Sequence, residues 1–179
     1  MKVPGNIFLV GLMGVGKSTI GRHLAELLQR RFLDLDHEIE HRTGASIPLI
    51  FEIEGEAGFR KREALLLDEL TALSDIVLAT GGGAVLLPEN RAHLRSRGHV
   101  VYLQADIETL VERTRRDRHR PLLQAVDPRA KLEELLHARQ PLYEEIANLV
   151  IRTSHRSPAQ VARHIATQLS KTQNENTSG

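Results

Sequence analysis

The chain contains no cysteine. That excludes disulfide scaffolds, thiolate metal sites and a cysteine nucleophile, and it fits a reducing compartment. Charge imbalance is also lacking: 24 Lys and Arg against 23 Asp and Glu leave a formal net charge of +1 at pH 7. So balanced a molecule is no general electrostatic match for nucleic acid or an anionic membrane, and charge has to act locally. No apolar run approaches bilayer-spanning length, and Met1-Lys2-Val3-Pro4-Gly5 lacks the regions of a secretory signal. The expectation is a cytoplasmic monomer with neither nucleic-acid nor membrane partners. Internal repeats and long linkers are absent too, and 179 residues is about one domain's length, so one domain is expected.

What is present is organised around Gly11-Leu12-Met13-Gly14-Val15-Gly16-Lys17-Ser18-Thr19, a G-x-x-x-x-G-K-[ST] stretch. The apolar run Ile7 to Val10 before it reads as a buried parallel strand; Ile20, Leu24, Leu27 and Leu28 after it recur at helical spacing. Glycines there let backbone N–H groups of Gly14, Val15 and Gly16 approach a polyphosphate at a helix N-terminus. Lys17 can then reach the β- and γ-phosphates of ATP, Ser18 can ligate Mg²⁺, and Thr19 adds a phosphate contact.

Further along, Arg31 to Asp36 reads as a second strand with Asp34 and Asp36 on one face at its C-terminal end. One carboxylate could orient magnesium's water shell while the other accepts a hydrogen bond from an attacking hydroxyl; alternatively both cap a helix beginning near His37. His37 and His41 have the i, i+4 spacing of a metal pair but lack the further ligands a zinc site needs. A long helix follows, with Phe59, Leu66, Leu67, Leu70 and Leu73 as its core face. On it Arg60 lies between Glu56 and Glu63, which suits an exposed ion-pair ladder and a carboxylate clamp equally well.

Ile76 to Ala79 reads as a third strand running into Gly81-Gly82-Gly83, where bare backbone can approach a polar substrate. A helix is predicted over 88–97, a strand over 99–103, and Asp106 as the next N-cap. Five arginines then fall within residues 113–120. No aromatic is interleaved to stack bases, so a lid supplying Arg120 to a phosphate is preferred over an RNA patch, with the other four solvated. Asp127-Pro128 starts a helix that Pro141 is expected to interrupt and kink, turning Arg139 off the surface. A fifth strand over 149–151 and a capping box at Ser157 to Gln160 complete the series, ahead of a disordered tail over 171–179.

Taken together, the phosphate loop, Asp34-x-Asp36, Gly55-Glu56-x-x-Phe59-Arg60 with the triple glycine, and Arg120-Pro121-Leu122 followed by Arg139-x-Pro141-x-Tyr143 resemble shikimate kinase, across the chain to about Leu169. The resemblance implies an α/β P-loop NTPase three-layer fold of nucleoside-monophosphate-kinase type with a five-stranded parallel sheet. It further implies a substrate-binding segment near 34–62, a lid near 113–125, and ATP-dependent phosphorylation of the 3-hydroxyl of shikimate in aromatic amino acid biosynthesis. By the same resemblance Asp36, Arg60, Gly82 and Arg139 bind shikimate, with Lys17, Asp36 and Arg120 catalytic. Arg120 and Arg156 contact the nucleotide, and Asp34 stands behind magnesium. Arg152 departs from the family pattern, which often has an acidic residue there. Competing readings are a P-loop kinase for another hydroxylated acid such as gluconate, and a regulatory module that binds ATP without transferring phosphate.

Overall fold

Five short strands lie side by side, all parallel, with the second, third, first, fourth and fifth in chain order as successive neighbours. The computed structural model describes residues 2–116 and 127–176. Strand β1 (Asn6–Val10) is central and wholly buried, between β3 (Ile76–Ala79) and β4 (Gly98–Gln104), with β2 (Arg31–Asp34) and β5 (Leu149–Arg152) outermost. Alternation along β1 divides the core. Ile7 and Leu9 face one layer, with Ile20 and Leu24 of α1 (Lys17–Leu28) and Val161 and Ile165 of α7 (Pro158–Asn176). Phe8 and Val10 face the other, built from α2 (Leu35–Thr43), α3 (Ile47–Thr71) and α4 (Pro88–Arg97). Helix α5 (Ile107–Thr114) joins the first layer, while α6 (Pro128–Ile146) serves both: Leu132 and Leu135 pack with α1 and α7, Tyr143 and Ile146 with the opposite core. The sheet is the expected three-layer architecture, and the loop after β1 emerges where neighbouring strands connect in opposite directions, the usual ligand-binding point of such sheets.

Several boundaries differ from the sequence expectation. The second strand stops at Asp34, whose side chain accepts a hydrogen bond from the His37 amide at 3.1 Å and so caps α2. Asp36 is therefore in a helical first turn, not on a strand face. Helix α3 contains a break at Gly55 (φ 72°, ψ 179°), a conformation that favours glycine. Leu73 lies beyond its end and is 38% exposed, and Leu27 of α1 is likewise outside the core at 44%. Pro141 does not interrupt α6, which runs unbroken through it. Asp106 stands at the N-cap of α5, yet its carboxylate accepts from Arg152 at 2.9 Å and no side-chain cap forms. At the start of α7 the capping box is reciprocal, Ser157 and Gln160 each accepting the other's amide. The helix continues to Asn176, so residues 171–176 are helical and not the expected tail.

Candidate active site

The loop after β1 reaches α1 through glycines 11, 14 and 16, all at positive φ. Lys17 is buried and donates from Nζ to the carbonyls of Gly11 (2.6 Å) and Leu12 (3.1 Å), so its side chain folds back over the loop. The Ser18 hydroxyl donates to the Asp34 carboxylate. A cavity of about 240 Å³ over this loop is lined by Gly14, Gly16, Lys17, Ser18 and Thr19 together with Asp34, Asp36, Thr80, Gly81, Gly82 and Arg113. Behind it lies a second of about 210 Å³, with Gly16, Thr19 and Arg113 again in its wall and Thr153, Arg156 and Pro158 closing it.

On the other side is a larger cavity of about 350 Å³. Its wall shares Ser18, Asp34, Asp36, Gly81 and Gly82 with the loop cavity, so the two adjoin across those residues. Met13, Ile47, Phe51 and Phe59 form an apolar side, with the two phenyl rings 4.8 Å apart. Arg60 and Arg139 enter from α3 and α6. Arg60 donates to Glu63 (3.0 Å) and Glu56 (3.4 Å) and its guanidinium lies 5.2 Å from the Phe59 ring centroid, which fixes its fork in place. The same fork presses on Gly83 so closely that a side-chain carbon there would overlap it. A carbon on Gly81 would meet oxygens of both Asp36 and Glu63 at 2.9 Å, and one on Gly82 would meet Arg139 Nη1 at 3.4 Å. The triple glycine is thus a close approach of backbone to four charged side chains.

Those charges act on one another. Burial pushes the fully buried Glu63 carboxyl up to about 7, with the Asp36 carboxylate adding to the rise and Arg60 and Arg139 opposing it. Arg139, 3% exposed, is lowered by burial, an effect that Tyr143 opposes and Arg60 reinforces. Among the described residues Glu63 Oε2, Arg139 Nη1 and Arg60 Nε are buried without a hydrogen-bond partner. Two guanidinium groups with spare donor capacity beside one apolar wall suit a small organic acid with one flat carboxylate.

The structure brings Asp36, Arg60, Gly82 and Arg139 to one cavity and places Gly14, Val15, Gly16, Lys17, Ser18 and Thr19 in the adjoining loop. Arg156 lines the cavity behind the loop, whereas Arg152 is occupied by Asp106. Arg120 lies outside the described residues, as does most of the segment expected as a lid. A hydroxyl beside a carboxylate at Ser18 and Asp34 is a hard-oxygen set that fits Mg²⁺, which takes few protein ligands and completes its shell with water and phosphate.

Three contributors were missed in the sequence. Glu63 reads from sequence as an acidic neighbour of Arg60, in a ladder or holding its fork for a clamp; its burial, which a one-helix reading does not give, makes its own carboxyl part of the site. Arg113 was grouped with solvated arginines, yet its Nη1 donates to the carbonyls of Gly14 (3.3 Å) and Val15 (3.0 Å). The hydroxyl of buried Tyr143 donates to the Gly82 carbonyl, a pairing across 61 positions that no local signal reports.

Comparison with known proteins agrees with this geometry. The shikimate kinase family profile matches residues 13–170. The shikimate kinase of Bordetella pertussis is 59% identical over 163 residues, 91% of this chain and 77% of that protein. A solved structure described as shikimate kinase from Acinetobacter baumannii in complex with shikimate superposes with a TM-score of 0.93 at 53% identity, covering 94% of each chain. A gluconokinase structure from Sinorhizobium meliloti shares the fold alone, at a TM-score of 0.67 and 19% identity over 100% of this chain and 99% of that one.

Proposed function

Because the chain belongs to the shikimate kinase family, we propose that it transfers the γ-phosphoryl group of ATP to the 3-hydroxyl of shikimate, giving shikimate 3-phosphate and ADP. The observation that carries the reading is the meeting of two cavities over Ser18, Asp34, Asp36, Gly81 and Gly82, a phosphate loop on one side and paired arginines on the other. Phosphoryl transfer asks the protein for alignment and charge neutralisation more than for covalent chemistry.

In this reading Arg60 and Arg139 grip the carboxylate, the Gly82 amide adds a donor, and the ring rests on Phe51 and Phe59. That leaves Asp36, at the junction, to orient the attacking hydroxyl toward the phosphate loop. Loop amides and Lys17 hold the phosphates, Arg113 and Arg156 line the path to the rest of the nucleotide, and Arg120 supplies a further cation. Mg²⁺, held by Ser18 with Asp34 behind it, would neutralise phosphate charge when bound. The protein would work in the cytoplasm as a monomer.

The test is ADP release with shikimate, gluconate and other hydroxylated acids, with and without magnesium. Release dependent on shikimate and magnesium is expected. ATP binding without shikimate-dependent release would sink the reading in favour of a regulatory module, and a preference for gluconate would reassign the substrate.

A further inference from the structure

The three glycines at 81–83 have little intrinsic rigidity, yet every carbonyl along them is held. Ala84 donates to the Gly81 carbonyl at 3.1 Å, Leu86 to that of Gly83 at 3.1 Å, and the Asn90 amide to that of Ala84 at 2.9 Å. These donors are local. The Gly82 carbonyl alone in this series is held from a distant element, by the hydroxyl of Tyr143 on α6.

Tyr143 lies one helical turn beyond Arg139 on the same face of α6, and both residues are buried. Its ring is fully buried and packs 5.0 Å from that of Tyr102, so the hydroxyl is delivered from a fixed platform. Arg139 Nη1 in turn lies 3.4 Å from where a side-chain carbon on Gly82 would stand. One phenol therefore bonds the glycine that lines the acid cavity, from the helix face that also delivers the arginine beside it. Resting on the shikimate reading above, we infer that the Tyr143 hydroxyl is a positioning group for acid recognition, locking the Gly82 peptide at a set distance from Arg139. Without it the glycine backbone regains its freedom, and the carboxylate-binding donors lose their alignment before any other part of the molecule is disturbed.

Tyr143→Phe keeps the ring and deletes the hydroxyl. Calorimetric titration with shikimate should show Kd raised about 10-fold, with the KM for ATP unchanged and kcat within about threefold of the parent. Tyr102→Phe, which removes a hydroxyl from the packing partner but not from Gly82, should leave the shikimate Kd unchanged. A Tyr143→Phe Kd within about twofold of the parent would overturn the inference, as would a parallel rise in shikimate and ATP constants, or an equal loss in Tyr102→Phe. A parent chain that binds no shikimate would overturn the functional reading as well, whereas parent binding with unaltered Tyr143→Phe affinity overturns this inference alone.

Discussion

The two ends of the site hold charge in opposite ways. At the phosphate end the receptor is main chain from one contiguous stretch, and its cations rest on that stretch: Lys17 on the carbonyls of Gly11 and Leu12, Arg113 on those of Gly14 and Val15. At the acid end the receptor is side chains from α2, α3 and α6 packed against a glycine turn, with buried polar atoms of Arg60, Glu63 and Arg139 left unpartnered among the described residues. Burying such groups is costly unless something completes them. The first arrangement is a general anion seat whose cations have somewhere to go without ligand; the second is poised for one particular shape.

Breaking the junction between the ends should have the largest effect. Asp36→Asn is expected to cut kcat by on the order of 10² or more while ATP affinity stays near normal, the scale of a lost acid–base or orienting group. Steady-state kinetics with both substrates checks it, and near-parental turnover would remove Asp36 from the chemistry.

Next is Glu63. Its folded-state pKa, about 7, lies above its ordinary value of 4.5, so the folded protein holds the extra proton between them. The stability this contributes is present below about pH 4.5 and is lost as pH rises through 7. Glu63→Gln, which cannot ionise, should therefore gain on the parent by on the order of 2 kcal/mol between pH 5 and pH 8. Urea unfolding at both values measures this, and a pH-independent difference would exclude Glu63 as the titrating group.

Two exchanges then separate the ends. Arg139→Lys should raise the shikimate KM about 10-fold with the ATP KM unchanged, because an ammonium cannot reproduce a planar fork. Arg113→Met should do the reverse on a smaller scale, raising the ATP KM about threefold and leaving shikimate untouched. If either substitution moved both constants equally, the division between the ends would be wrong.

The same division explains what was readable. The phosphate loop lies within nine consecutive residues whose types follow from their chemistry, and the strand and helix around it have simple apolar patterns. For the acid end, residues alone left Arg60 undecided between a clamp and a ladder; the family resemblance pointed to it, and folding alone shows Glu63 closing it from behind. Arg139 is instructive because the register of its helix is enough to bury it. Pro141 does not interrupt α6, and Arg139 is buried because it shares the face of Leu132, Leu135, Tyr143 and Ile146. A strand over Arg31 to Asp36 puts Asp34 and Asp36 on one face, but the Asp34 cap starts a helix at once, a competition between strand propensity and capping that sequence does not settle.

The break at Gly55 bears on how such a site can diverge. It separates Ile47 and Phe51, one part of the apolar wall, from Phe59, which completes that wall, and from Arg60 and Glu63, which supply the charge, although all five belong to one long helix. With the left-handed swivel between them, the short arm can be recut to a new ring outline while the long arm, anchored in the core by Leu66, Leu67 and Leu70, keeps its arginine aimed. Only the part of the outline drawn by Ile47 and Phe51 is thereby set apart from the arginine, at a single residue.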